Sequence, residues 1–135
     1  MTDETTVQGA INTITINPFE QEQCVFLRYA GQVSTQDAST AVEHAGQLLD
    51  ARGWKRLIVD ATKVTSRLPT MDLYQCASQS LQALPRGVRI ALVVGAAHAT
   101  DGRFIEYAAR HYGFPLTVCV DAFDARAWLE RRHPE

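Results

Sequence analysis

The segment from Asp60 to Thr70, DATKVTSRLPT, gathers groups that can do chemistry. Asp60 supplies a carboxylate, Ser66 and Thr70 supply hydroxyls, and Arg67 supplies a fixed cation between them. A hydroxyl at a helix start can accept a phosphoryl group. The added charge of roughly −1.5 to −2 would meet the helix amino terminus and Arg67, which both favour an anion. Capping accounts for the same residue types, because Ser66 or Thr70 can accept free amides while Pro69 sets the first turn. Asp60 closes an apolar run. It can act as a base or bind a hydroxyl, or it can accept amides of the turn that follows.

A second candidate is GAAHATDG, residues 95 to 102, with Gly95, His98 and Asp101 as its informative members. It leaves an apolar strand and enters a helix, and open α/β sheets bind ligands in such crevices. It carries neither G-x-G-x-x-G nor Gly-Lys-Ser/Thr, so it is no phosphate loop. Asp101 at the helix start would repel an anion. His98 is either a group titrating near neutral pH or a solvated loop side chain. Arg103 and Glu106, three apart, suggest an exposed ion pair.

Catalysis needs a nucleophile beside an oriented base, paired carboxylates or an open metal site. His44, His98, His111 and His133 fall in separate elements, and none has a partner at a recognisable spacing. Cys24, Cys76 and Cys119 are scattered and odd in number, which suits reduced, buried thiols in a cytoplasmic protein. No Cys or His pair has metal-ligand spacing. The expectation is therefore a non-enzymatic domain with no cofactor, no metal and no assigned catalytic residue. Trp54 and Trp128 read as packing residues, with Trp54 alternatively an interface anchor.

The elements that must position these groups follow from periodicity. Ile14 and Ile16 alternate with threonines, and Asn17-Pro18 should end that short strand. CVFLRYAG, residues 24 to 31, is a second strand, paired with the first as a hairpin. Ser34 and Asp37 form an S-x-x-D capping box for a helix over about 35 to 52, which Gly53 stops. RLIVD, residues 56 to 60, reads as a strand buried on both faces. A helix follows Pro69, with Met71, Tyr74, Ala77, Leu81 and Leu84 at helical spacing. VRIALVVG is the next strand. The helix from about Asp101 to Tyr112 should turn Phe104, Ile105, Ala108 and Tyr112 inward. LTVCV is the last strand, and Asp121 and Asp124 cap a final helix with Ala125, Trp128 and Leu129 facing inward.

The fold class is thus α/β: a single mixed, mostly parallel sheet of about five strands, an N-terminal hairpin followed by crossovers, with about four helices. Residues 1–10 read as a disordered tail and 11–135 as a single domain. The 135 residues, 46% hydrophobic and 21% charged, fit one globular unit. A net charge of −2 gives no argument for nucleic acid, and the apolar runs are too short for a membrane span.

Asp60 at a strand end, the run Asp101-Gly102-Arg103-Phe104-Ile105-Glu106, Gly113, and the Ala125 to Leu129 segment AWL-type ending together resemble the SpoIIAA-like group of the STAS superfamily of bacterial proteins. The resemblance covers nearly the whole chain after residue 11. It implies a STAS-like fold and a regulatory, protein-binding role. Related anti-sigma-factor antagonists carry a phosphorylated serine in an Asp-Ser-Ser-Gly turn. Here Thr65-Ser66-Arg67-Leu68-Pro69-Thr70 stands instead, so that serine has no direct equivalent. Other relatives bind lipids or similar apolar ligands. The resemblance thus implies a protein-interaction domain, modulated by phosphorylation or by a ligand, with the junction at Ser66–Thr70 and the loop at 95 to 101 as its working surface. The alternative is a carrier or sensor for a small apolar ligand such as an acyl chain. Exposed strand edges and helices are also compatible with a homodimer.

Overall fold

The computed structural model describes residues 5–8, 12–65 and 70–131, with the side chains of Thr6, 12–65 and 75–131. Strands β1 (Thr5–Gln8), β2 (Asn12–Phe19) and β3 (Cys24–Gly31) come first, then helix α1 (Thr35–Arg52). β4 (Arg56–Val64), α2 (Thr70–Gln82), β5 (Arg89–Val93), α3 (Ala99–His111), β6 (Leu116–Cys119) and α4 (Ala122–Glu130) follow in alternation. The six strands form one sheet in simple chain order, β1-β2-β3-β4-β5-β6. β1, β2 and β3 pair antiparallel; β3 to β6 pair parallel. The mixed, mostly parallel sheet with four helices is therefore as the sequence suggests.

Three local readings are corrected. Thr5–Gln8, placed by the sequence in a disordered tail, form an added edge strand against Thr13–Ile16. Strand-favouring Thr and Val suit that position, and pairing satisfies backbone groups that β2 would otherwise leave open. Asn17-Pro18 does not end β2, which continues to Phe19 with Pro18 opposite Val25. The described pairing with β1 spans Thr13–Ile16 and does not include Pro18, whose missing N–H is best tolerated away from a central ladder. The third correction concerns part of the inner face of α3. Ile105 and Ala108 face the interior as expected, but Phe104 and Tyr112 point outward, and Gly102 and Ala109 join the inner face in their place. The helix turns its small residues inward because it lies so close to β6. A Cβ on Gly102 would stand 2.8 Å from Val118 Cγ1.

The capping box of α1 is present in full. Ser34 Oγ accepts from the Asp37 N–H at 3.0 Å, and the Ser34 N–H donates to Asp37 Oδ2 at 3.2 Å. At the other end Gly53 takes the left-handed conformation, φ 69°, that an L side chain would resist. Asp121 caps α4 in the same way, accepting from the Asp124 N–H.

Chain-order pairing has a consequence for layering. Successive crossovers of one hand lay α1, α2 and α3 side by side on one face, and α4 alone covers the other. The larger core lies beneath the three helices, with Val25, Leu27, Leu57, Ile90 and Leu92 rising from the sheet. The smaller core places Ala125 and Leu129 of α4 against Phe26, Ile58, Ala91 and Val93. Within the three-helix layer, α1 and α3 rest on the strands. α2 leans mainly on α1 and α3 and makes little direct contact with the sheet below it.

The α1–α2 seam depends on Gly46, where an added Cβ would stand 2.6 Å from the Ala83 carbonyl oxygen. Backbone cannot move aside cheaply there. Gly46→Ala should therefore destabilise the fold by about 1–3 kcal/mol, although alanine is the better helix former by about 1 kcal/mol. Urea denaturation measures it, and a gain in stability would show that the two helices do not approach so closely.

Candidate functional site

Because α2 stands off the sheet, the space beneath it is not filled. A cavity of about 200 Å³ lies between the three helices and the strands. Leu57 and Val59 of β4 and Ile90 and Leu92 of β5 make its floor. Val42 of α1 and Ile105 of α3 form the walls, and Cys76, Ala77, Ser80 and Leu81 of α2 form the roof. Small residues at inward positions keep it open: Ala38, Ala61, Ala77 and Gly102 all line it. Larger side chains at those places would close the gap by packing.

The few polar groups are arranged unevenly. Tyr29 is buried, and its hydroxyl donates to the Ala38 carbonyl at 3.1 Å. Burial raises its pKa, so the phenol stays neutral. The Cys76 thiol lies 3.8 Å from the Thr35 carbonyl oxygen. Burial also raises its pKa, against the opposing pull of Ser80 and Ser39. The lining groups that reach solvent, Ser34, His98 and Asp101, follow the carboxyl ends of β3 and β5, so the mouth lies there. His98 Nδ1 stands 3.7 Å from Asp101 Oδ2.

The sequence candidates thus separate. His98 and Asp101 meet at the cavity mouth, while Gly95 begins the turn that carries His98, its carbonyl accepting from the His98 N–H at 2.9 Å. Asp60 belongs to the other face of β4. Its Oδ1 accepts from the Thr62 N–H at 2.9 Å and from the Thr62 hydroxyl at 2.6 Å. The pairing of β4 with β3 slips between Arg28 and Ala30, and Asp60 holds a backbone amide at this bulge. Arg28 lies 3.5 Å from Asp60 Oδ2. Ser66 and Arg67 lie outside the described residues, as does the side chain of Thr70, whose backbone begins α2. Glu106 pairs with Arg110 at 3.5 Å rather than with Arg103. Trp54 is buried in the main core.

Sequence reasoning missed the roof. Of Cys76, Ala77 and Ser80, only Ala77 belonged to the expected inward stripe; Cys76 was read as a buried thiol. Their small size, coinciding with Ala38 and Ala61 across the gap, was the available signal. Among the described residues no group of His, Cys, Asp or Glu is placed to hold a metal ion. No helix among them is long and apolar enough to cross a membrane.

Comparison with models of protein families and with curated proteins gives no match. Among solved structures, the chain is similar to an anti-sigma factor antagonist from Mycobacterium paratuberculosis. The TM-score is 0.54 at 16% identity, over 97% of this chain and 96% of that one. The likeness establishes the STAS, SpoIIAA-like fold.

The thiols carry a pH signature. On the α4 side, burial and then the nearby Glu22 carboxylate push the Cys24 thiol from its ordinary value of 9.0 up to about 12. The unfolded chain therefore loses this proton first as pH rises. Cys24 leaves stability unchanged below about pH 9, then lowers it by on the order of 1 kcal/mol per pH unit until the folded value is reached. Urea midpoints of wild type and Cys24→Ala should accordingly converge between about pH 8 and about pH 10.5. A constant gap would mean that the folded thiol ionises normally.

Proposed function

We propose that this chain is a non-enzymatic regulatory domain that takes a small apolar molecule into the cavity between α2 and the sheet. The observation that carries the reading is the cavity itself, with its aliphatic floor and its mouth at the 95–101 loop. An apolar cavity of roughly 150 Å³ takes a benzene ring, so about 200 Å³ matches a substituted ring or a short acyl chain. α2 forms the roof and leans chiefly on its neighbouring helices. Occupancy beneath it would thus be felt at the α1–α2 and α2–α3 seams, which gives a binding event a route to the surface. The fold of the antagonist neighbour is compatible with such a role.

A second reading, docking of a protein partner, is favoured by a separate observation. Phe104 and Tyr107 of α3, Val120 beyond β6 and Phe123 of α4 are exposed, Phe123 by 81%. They belong to the elements around the edge strand β6. Exposed large apolar groups on neighbouring elements are candidates for interaction surfaces. The reading fails if Tyr107→Ser and Phe123→Ser leave every association seen by light scattering and by cross-linking in native lysate unchanged.

For the ligand, native mass spectrometry of freshly purified protein should show a small co-purified molecule that is released on denaturation. Ala77→Leu places a larger side chain in the same space. It should keep or raise stability by about 0.5–2 kcal/mol while abolishing the added mass. Masses matching the bare polypeptide for both proteins, together with no binding of added apolar compounds, would refute the reading.

A further inference from the structure

We infer that the cavity selects a molecule with an apolar body and a hydrogen-bond-donating head, an amine or alcohol, and disfavours the corresponding carboxylate. The inference rests on the cavity being a ligand site, as proposed above, and deepens it by naming the ligand's chemistry. Three observations carry it. Polarity runs in one direction, from the aliphatic end at Leu84, Ile90 and Leu116 to the polar mouth at Ser34, His98 and Asp101. A ligand must therefore enter with one polar end outward.

Among the described residues, the charge at that end is negative. Asp101 is the one fully charged side chain lining the cavity among the described residues. The starts of α1 and α3 offer little to an anion, since each already holds a carboxylate of its own. Asp37 closes the box at α1, and Asp101 stands in the first turn of α3. A carboxylate head would meet Asp101 at the mouth. An ammonium or hydroxyl head would donate to it, and a charge-assisted hydrogen bond is the strong kind. His98, 3.7 Å from Asp101, holds a second polar group at the same place.

Four probes that share one ring and one short linker test this: ethylbenzene, phenethyl alcohol, phenethylamine and phenylacetate, titrated against the full chain by nuclear magnetic resonance. Ethylbenzene reports the cavity alone. The amine and the alcohol should bind more tightly than ethylbenzene, and phenylacetate more weakly than the amine by at least roughly tenfold, the worth of one such hydrogen bond. In Asp101→Asn, the ratio of amine to ethylbenzene affinity should collapse toward unity. Phenylacetate binding as tightly as the amine, or an unchanged ratio in Asp101→Asn, overturns the inference while leaving the cavity as a ligand site. Failure of all four, ethylbenzene included, overturns the ligand site and the inference with it.

Discussion

The close approach of helices α1 and α3 to their neighbours governs the three-helix layer. At Gly102 the absence of a side chain lets α3 settle on Val118, and at Gly46 it lets α1 press against the carbonyl of Ala83. The outer helices are thereby drawn in while the middle one is held between them. Chain-order strand pairing forces this sequence of three helices onto one face. A central helix wedged at its flanks has no need to touch the strands beneath, and α2 largely does not. The void follows from that geometry rather than from any special loop.

The two faces of the sheet then divide the work. The α4 side is filled conventionally. Phe19 and Phe26 meet edge to face at 6.1 Å, with Arg126 stacked over the Phe19 ring. Asp60 and Thr62 manage the bulge in β4 nearby. On the three-helix side the strands contribute Leu57, Val59, Ile90 and Leu92, the residues any such core would have. What makes that side unusual is the roof: Cys76, Ala77 and Ser80 are too small to reach the floor.

Much of the fold could be read from local chemistry. The Ser34–Asp37 box, the Gly53 stop and the Asp121 cap are local hydrogen-bonding devices, so their residue types suffice to locate them. Alternation likewise gave the faces of β3. β1 escaped notice because TTVQ has no apolar face, and its place depends on an edge of β2 that only the assembled sheet creates. Phe104 and Tyr112 of α3 were placed inward because size was taken as a sign of burial, whereas close contact with Val118 demanded glycine at 102. His98 and Asp101 were legible as a loop pair following a strand. The cavity they border was not, because it is set by the height of one helix above a sheet, a quantity that belongs to the packing of three helices together.

The sheet's two borders have a bearing on how the molecule behaves in a crowd. Among the described residues, β1 and β6 each span four residues. A foreign strand laid along the β6 rim would find only a few peptide groups to pair with before the rim ran out, so open-ended stacking of sheets there gains little. The helices packed against β6, α3 and α4, also carry the exposed rings of Phe104 and Phe123. A short β6 rim lets the chain keep sticky aromatic groups in water without inviting fibrils.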